Sequence, residues 1–418
     1  MFGPVQPEIG RNHIFQGRRY TVLSEERKKA LVDFCREVIR IPSPSGGEAG
    51  VAGLIEKTMK ESGFDEISVD RYGNVTGRIV LGHSGKKILL EGHMDHVDVS
   101  DPSKWSHDPF GAELVDGKIY GRGTTDMKGN LIAMVKAAAF VKEDLAGELD
   151  GEILVGGCVH EECFEGVASE EIDKNTHPDF VVIGEPSGLT LKRGQRGRAE
   201  VLLETFGKNA HSSNPSVGIN AVKKMMKAIL AIEEGFTPKV HPVLGEGILE
   251  VTDIISSPFP GASVVPDRCS ATFDRRLLEG ETRDDVLSQI RDFLAPLVSG
   301  DPQMNVSVSL ARGEDKCYTG ETIEAERFAP GWIFPENEPF VQAALEGLRS
   351  VGQDPKISHY YFCTNGSYYA GKAGIPTVGF GGSLETLAHV DDEYIEVDHL
   401  VKACEGYYGI IRSTLGKK

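Results

Sequence analysis

The apolar pattern of this 418-residue chain changes character twice, and that interruption limits the fold more than any other feature. Residues 24–41 carry Leu31, Phe34, Cys35, Val38 and Ile39 at helical spacing until Pro42 and Pro44 stop the pattern. A second amphipathic run carries Val51, Leu54, Ile55 and Met59 and ends at Gly63. Short apolar runs at 74–80, 87–90, 152–159 and 180–183 read as strands, with a helical run at 131–141 among them. Such alternation predicts a mainly parallel sheet with helices on both faces. From residue 199 the order becomes strand (199–206), helix (217–232), strand (248–254), strand (269–273), helix (283–297), strand (306–310). That is the ferredoxin-like order. After about residue 322 a helix (341–351) and a strand (377–380) resume the first pattern. The expected architecture is α/β: residues 1–188 and 314–418 form one domain, interrupted by an inserted ferredoxin-like α+β domain at 189–313 that serves as lid or dimerisation unit.

Charge excludes some partners. A formal net charge of -18 argues against nucleic acid, which needs Lys and Arg in excess on some face, and fits poorly with an anionic membrane. Seven cysteines stand scattered without a C-x-x-C pair, the profile of a reducing compartment. The first twenty-odd residues hold Pro4, Pro7, Arg11, Arg18 and Arg19 but no apolar core, so no secretory signal is read there. No later run is long and apolar enough to span a bilayer. The expected location is cytoplasmic.

In open α/β sheets ligands bind beyond the carboxyl ends of the strands. Here each such end delivers a metal-ligating residue type. The strand at 87–90 runs into Glu91-Gly92-His93-Met94-Asp95, and that at 152–159 into His160-Glu161-Glu162. The strand at 180–183 runs into Gly184-Glu185-Pro186, and that at 377–380 leads towards His389. Asp126, in the Gly-rich segment 121–129, is a fifth candidate. Singly these would be a helix cap, solvated carboxylates and a core histidine; their convergence on one sheet edge points to a site.

Two imidazoles and three carboxylates without thiolate suit zinc foremost, with cobalt or manganese as alternatives. Five ligands serve two ions if one carboxylate bridges. Asp95, two residues beyond His93, points to the same side of an extended chain and is expected to accept the second imidazole N–H. Glu161, adjacent to Glu162, could take a proton from a water held between the ions and act as general base. In the inserted domain, His211 in Asn209-Ala210-His211-Ser212-Ser213 could donate to a developing oxyanion. Asp274-Arg275-Arg276 could place a guanidinium on a substrate carboxylate.

These motifs resemble, in order and over nearly the whole chain, the two-zinc family of aminoacylases, acetylornithine deacetylases, succinyl-diaminopimelate desuccinylases and glutamate carboxypeptidases. The fragments are 92–95, 121–129, Glu161-Glu162, 184–186, 210–213, and Ala388-His389 followed by Asp392-Glu393. The resemblance implies that His93 and Glu185 bind one ion, that Glu162 and His389 bind the other, and that Asp126 bridges them. It implies Glu161 as proton shuttle and Arg276 on the substrate carboxylate. It also implies a homodimer joined through the inserted domain, with His211 reaching the neighbouring active site. The sequence departs from the family pattern at His160, where Asp is common, at Ser263, where Asn is usual, and in the segment 362–369. These features are most similar to a subgroup linked to selenium metabolism.

The expected activity is hydrolysis of an amide-type bond in an N-acyl or N-carbamoyl amino acid, or a dipeptide. The departures motivate an alternative, a catalytically silent ligand-binding protein of the same fold. Phosphoester hydrolysis finds little support, since no phosphate-binding loop ending in Lys-Ser or Lys-Thr is present.

Overall fold

The computed structural model describes residues 23–83 and 85–417. The reading of the first twenty-odd residues as lacking a secretory signal lies outside them. The strands Lys86–His93 and Gly151–Cys158, with their apolar cores Ile88-Leu89-Leu90 and Ile153-Leu154-Val155, are buried on both faces over most of their length, as the interior of a parallel sheet requires. The large sheet runs in the order Glu66–Val69, Val75–Val80, Gly151–Cys158, Lys86–His93, Phe180–Ile183, Thr377–Gly379, Leu191–Gln195, Trp332–Ile333, with Ile357–Tyr360 also paired to Leu191–Gln195. Its four central strands, from Gly151–Cys158 to Thr377–Gly379, are mutually parallel.

Helices cover both faces. Gly157 faces Leu131 of the helix Lys128–Leu145, at ordinary contact distance from where a Cβ would stand, whereas the adjacent Gly156 faces Ile172 of the helix Ser169–Thr176. Neighbouring strand residues face opposite ways, so the two helices cover opposite faces.

A second sheet carries its own core. Ile248–Ser257, Arg268–Leu277, Gly197–Phe206 and Asn305–Leu310 pair antiparallel in that order, and Ala221–Gly235 and Arg283–Gly300 pack on one face. Numbered along the chain, these strands stand second, third, first, fourth across the sheet, or fourth, first, third, second from the other edge, the ferredoxin-like arrangement. Strict alternation of buried and half-buried residues through Gly197–Phe206 places Ala199, Val201 and Leu203 against Met225, Ile232, Phe273 and Ile290. The helix Arg283–Gly300 starts at a capping box in which Thr282 and Asp285 bond reciprocally.

The change of sheet falls at Arg196, between Leu191–Gln195 of the large sheet and Gly197–Phe206 of the small one. Pattern reading placed it near residue 189; Leu191–Gln195 is a short run with three charged or amide side chains, and only its pairing partners show its sheet. On the return path the hairpin Arg312–Lys316 with Thr322–Glu326 is fastened to the first domain. The Tyr318 hydroxyl donates to Gly73 O and the Thr319 hydroxyl to Arg71 O.

Candidate metal centre and active site

The carboxyl ends of the four parallel strands converge. His93 is the last residue of its strand, Glu161 and Glu162 follow Gly151–Cys158, Glu185 follows Phe180–Ile183, and His389 comes ten residues after Thr377–Gly379. Asp126 joins them from the loop before the helix Lys128–Leu145. Its two oxygens face two imidazoles: Oδ1 is 3.0 Å from His93 Nε2 and Oδ2 is 3.1 Å from His389 Nε2. Glu185 Oε1 lies 3.5 Å from His93 Nε2, and Glu162 Oε2 lies 3.1 Å from His389 Nε2. Two groups result whose ligand atoms lie within 4.8 Å of one another, His93-Asp126-Glu185 and Asp126-Glu162-His389, either of which could hold a metal ion. His93, Asp126 and Glu185 are buried, while His389 is half exposed at the mouth.

The electrostatics are those of carboxylates crowded without enough positive charge. Burial, then Asp126, pushes the Glu162 carboxyl up to about 7. Burial, then Asp126, raises Glu185 well above the carboxylate range. Burial also raises Glu161, with Glu185 and Glu162 adding to it against the pull of His93. Burial disfavours the ionised Asp126 as well, but His389 and His93 together hold it below its ordinary value. Asp126 and then Glu162 lift His389 to about 10. Glu162 Oε1 is buried with no hydrogen-bond partner. A buried unpaired carboxylate oxygen is costly, and a cation at that position would satisfy it; the nitrogen and oxygen donors around it fit a borderline divalent ion.

Asp95 reaches the His93 imidazole and does further work besides. The His93 Nδ1–H donates to the Asp95 carbonyl oxygen at 3.0 Å, with the carboxylate farther off at 3.4 Å. The carboxylate itself accepts the backbone N–H of Glu161 at 3.1 Å, that of Glu162 at 3.2 Å and the Ser45 hydroxyl at 2.7 Å. Asp95 therefore orients the imidazole through its main chain and the glutamate pair through its side chain. His160, just before that pair, has φ 54°, and His389 has φ 62°. Left-handed backbone at non-glycine residues is held by its surroundings and clusters at functional sites.

Glu393 was given no role from sequence. Fully buried, it accepts the backbone N–H of Thr125 at 2.7 Å and of Asp126 at 3.1 Å, and pairs with Arg122 at 2.7 Å. It fixes the loop that carries Asp126, and its one mark in the sequence is its place in the fragment 392–393.

The inserted domain contributes less directly. His211 is exposed in a two-residue strand paired with Val264–Val265, and its Nδ1 is taken by the Ser213 hydroxyl at 2.7 Å. Its hydrogen bonds reach none of the ligand residues. Arg276 is partly exposed and pairs with Asp274 at 2.7 Å. Its neighbour Arg275 is buried on Glu281 and is structural.

Comparison with known proteins identifies the family. A model of peptidase family M20/M25/M40 matches residues 89–413. The chain belongs to that family. As a member of peptidase family M20/M25/M40 it is a metal-dependent hydrolase of amide bonds. YgeY of Escherichia coli strain K12 is 34% identical over 409 residues, 95% of this chain and 98% of that one. Succinyl-diaminopimelate desuccinylase 2 of Ruegeria sp. strain TM1040 is 27% identical, over 93% of this chain and 95% of that one. The fold matches YxeP of Bacillus subtilis, described as a dinuclear metal binding peptidase of the M20 family, with TM-score 0.68 and 14% identity over 94% of this chain and 99% of that one. The matches speak for the family and not for the selenium-linked subgroup. Among the described residues no helix is long and apolar enough to cross a membrane.

Proposed function

We propose that this M20-family chain hydrolyses an N-acyl or N-carbamoyl amino acid, or a dipeptide, at two divalent ions, zinc foremost with cobalt or manganese as alternatives. The observation that carries the reading is Asp126 between two imidazoles, one carboxylate oxygen towards each, the disposition of a bridging ligand. His93 and Glu185 would hold one ion and Glu162 and His389 the other. Two such ions, when bound, polarise a scissile carbonyl and acidify the attacking water.

The side chains around them do the rest. Glu161 takes the proton from the water and returns it to the departing nitrogen. Asp95 holds Glu161 and Glu162 by their backbone amides, so base and ligand keep a fixed separation. Arg276 binds the substrate carboxylate, exchanging Asp274 for it. His211 donates to the oxyanion from the partner subunit of a homodimer joined through the inserted domain, residues 189–313. The edge strand Ile248–Ser257 supports that dimer, for Ile254 and Ile255 are about half exposed on it, as are Met226 and Leu230 on the helix Ala221–Gly235. Seven free cysteines support a cytoplasmic location.

The test is a panel of N-acetyl, N-succinyl, N-formyl and N-carbamoyl amino acids and dipeptides, with and without a free α-carboxylate, run on protein reconstituted with zinc, cobalt or manganese. Turnover of a carboxylated member, lost in Glu161→Gln with both metal equivalents retained, is the expected result. Metal uptake with no turnover of any member would favour the silent ligand-binding alternative. Sedimentation at the monomer mass would remove the dimer and the role of His211 with it.

A further inference from the structure

The segment 362–369 departs from the family pattern, and none of the roles above uses it. Its Asn365 is buried and makes two bonds of opposite sense. Asn365 Oδ1 accepts the backbone N–H of Gly166 at 2.6 Å, and Asn365 Nδ2 donates to Glu91 Oε1 at 2.8 Å. The same Glu91 oxygen accepts the Ser169 hydroxyl at 2.9 Å. Glu91 stands two residues before His93 on one strand, so the two side chains share a face of the sheet. Gly166 lies in the turn that follows Glu161 and Glu162, where Phe164 N–H bonds back to His160 O at 2.8 Å. One carboxamide thus joins the loop carrying the base to the strand carrying a ligand.

The residue type is specified on both sides. An aspartate would set an acceptor against the Glu91 carboxylate, whose Oε2 already lacks a partner, and an apolar residue would leave the Gly166 N–H unpaired in the interior. Asn365 is itself held from outside the loop. Gly366 N–H donates to the Thr364 hydroxyl, which donates in turn to Gln195 Oε1 at 2.6 Å, and Gln195 Nε2 donates to the Ser367 hydroxyl at 2.9 Å. The anchor is therefore fixed before it reaches the Gly166 amide.

We propose that Asn365 is a positioning residue that sets the Glu161–Glu162 loop over the strand end at His93, with Glu91 as its footing. The proposal rests on the reading of Glu161 as general base. Asn365 touches no substrate and acts through Glu161.

The test is a cycle of Asn365→Ala, Glu161→Gln and the double variant on zinc-reconstituted protein. It uses the panel member turned over fastest and single-turnover conditions for slow variants, with metal content and thermal midpoint recorded. Asn365→Ala should keep both metal equivalents and a KM within about twofold, while kcat falls by about tenfold to a hundredfold. In the Glu161→Gln background the same change should cost nothing further, because residues acting through one another are not additive. An unchanged kcat in Asn365→Ala, or losses that multiply in the double variant, would overturn the proposal while leaving the base assignment intact. Full activity in Glu161→Gln would remove the base and the proposal together. Should Asn365→Ala fail to fold, Asn365→Ser, which is polar but too short to bridge Gly166 and Glu91, carries the same expectations.

Discussion

Glu393 accepts the backbone N–H of Asp126 at 3.1 Å, across 267 residues of chain, and so decides where a carboxylate between two imidazoles can stand. Its other bonds, to Thr125 N–H and Arg122, leave it no freedom, and its burial is complete. Glu393→Gln keeps the shape but turns an amide N–H towards either Arg122 or the loop amides, both of which are donors. Partners that orient a metal ligand are worth about tenfold to a hundredfold in metal affinity. The variant is expected to lose metal to a chelator at that much lower competitor concentration, measured by equilibrium dialysis with elemental analysis. Retention equal to the unsubstituted protein would show that the loop holds Asp126 unaided.

His389 tests whether the two ligand groups are separate sites. It belongs to only one of them, with Asp126 and Glu162, whereas His93 and Glu185 lie in the other. His389→Ala should lower the bound metal from two equivalents to one and abolish turnover, since neither group alone supplies both ions. His389 is half exposed, so the substitution removes little packing, but in the metal-free protein it also takes a cation from the buried carboxylates of Asp126 and Glu162, and the thermal midpoint of that form should fall. Two equivalents retained by the variant would refute the assignment of His389.

Much of the convergence was legible in the sequence because His93, Glu162 and Glu185 lie at or just beyond the ends of buried apolar runs, and parallel strands all point their carboxyl ends one way. His389, ten residues past its strand, and Asp126, in a loop before a helix, are placed by less direct signals. Glu393 could not be found so, because its task is to receive amides of a loop remote in sequence, and no local pattern marks an acceptor of backbone N–H groups. The task of Asp95 was legible only in part for a related reason: spacing shows that it lies beside His93 but not that its carboxylate also accepts the Glu161 and Glu162 amides. The small sheet was readable from its alternation. The three-stranded sheet of Glu113–Val115, Lys118–Tyr120 and Tyr394–Glu396 was not, since runs of three residues carry no periodicity.

His96 gives the fold a pH dependence of determinate sign. Its Nε2 accepts the Ser43 N–H at 2.9 Å and its Nδ1–H donates to Val97 O at 2.9 Å, so the ring is bound as the neutral tautomer. Burial, with Lys128 and Arg122 adding to it against Asp95, lowers its pKa to about 4. An unfolded chain binds that proton near pH 6.5. Between those values the unfolded state holds more protons, so the stability contributed by His96 is complete above about 6.5 and is lost as pH falls towards 4. The gap corresponds to about 3 kcal/mol. His96→Gln has no proton to take up in either state. Whatever its stability at pH 7, the variant should lose about that much less than the unsubstituted protein between pH 7 and pH 4. Chemical unfolding at half-unit pH steps measures this directly, and parallel curves for the two proteins would show that His96 is not the group responsible.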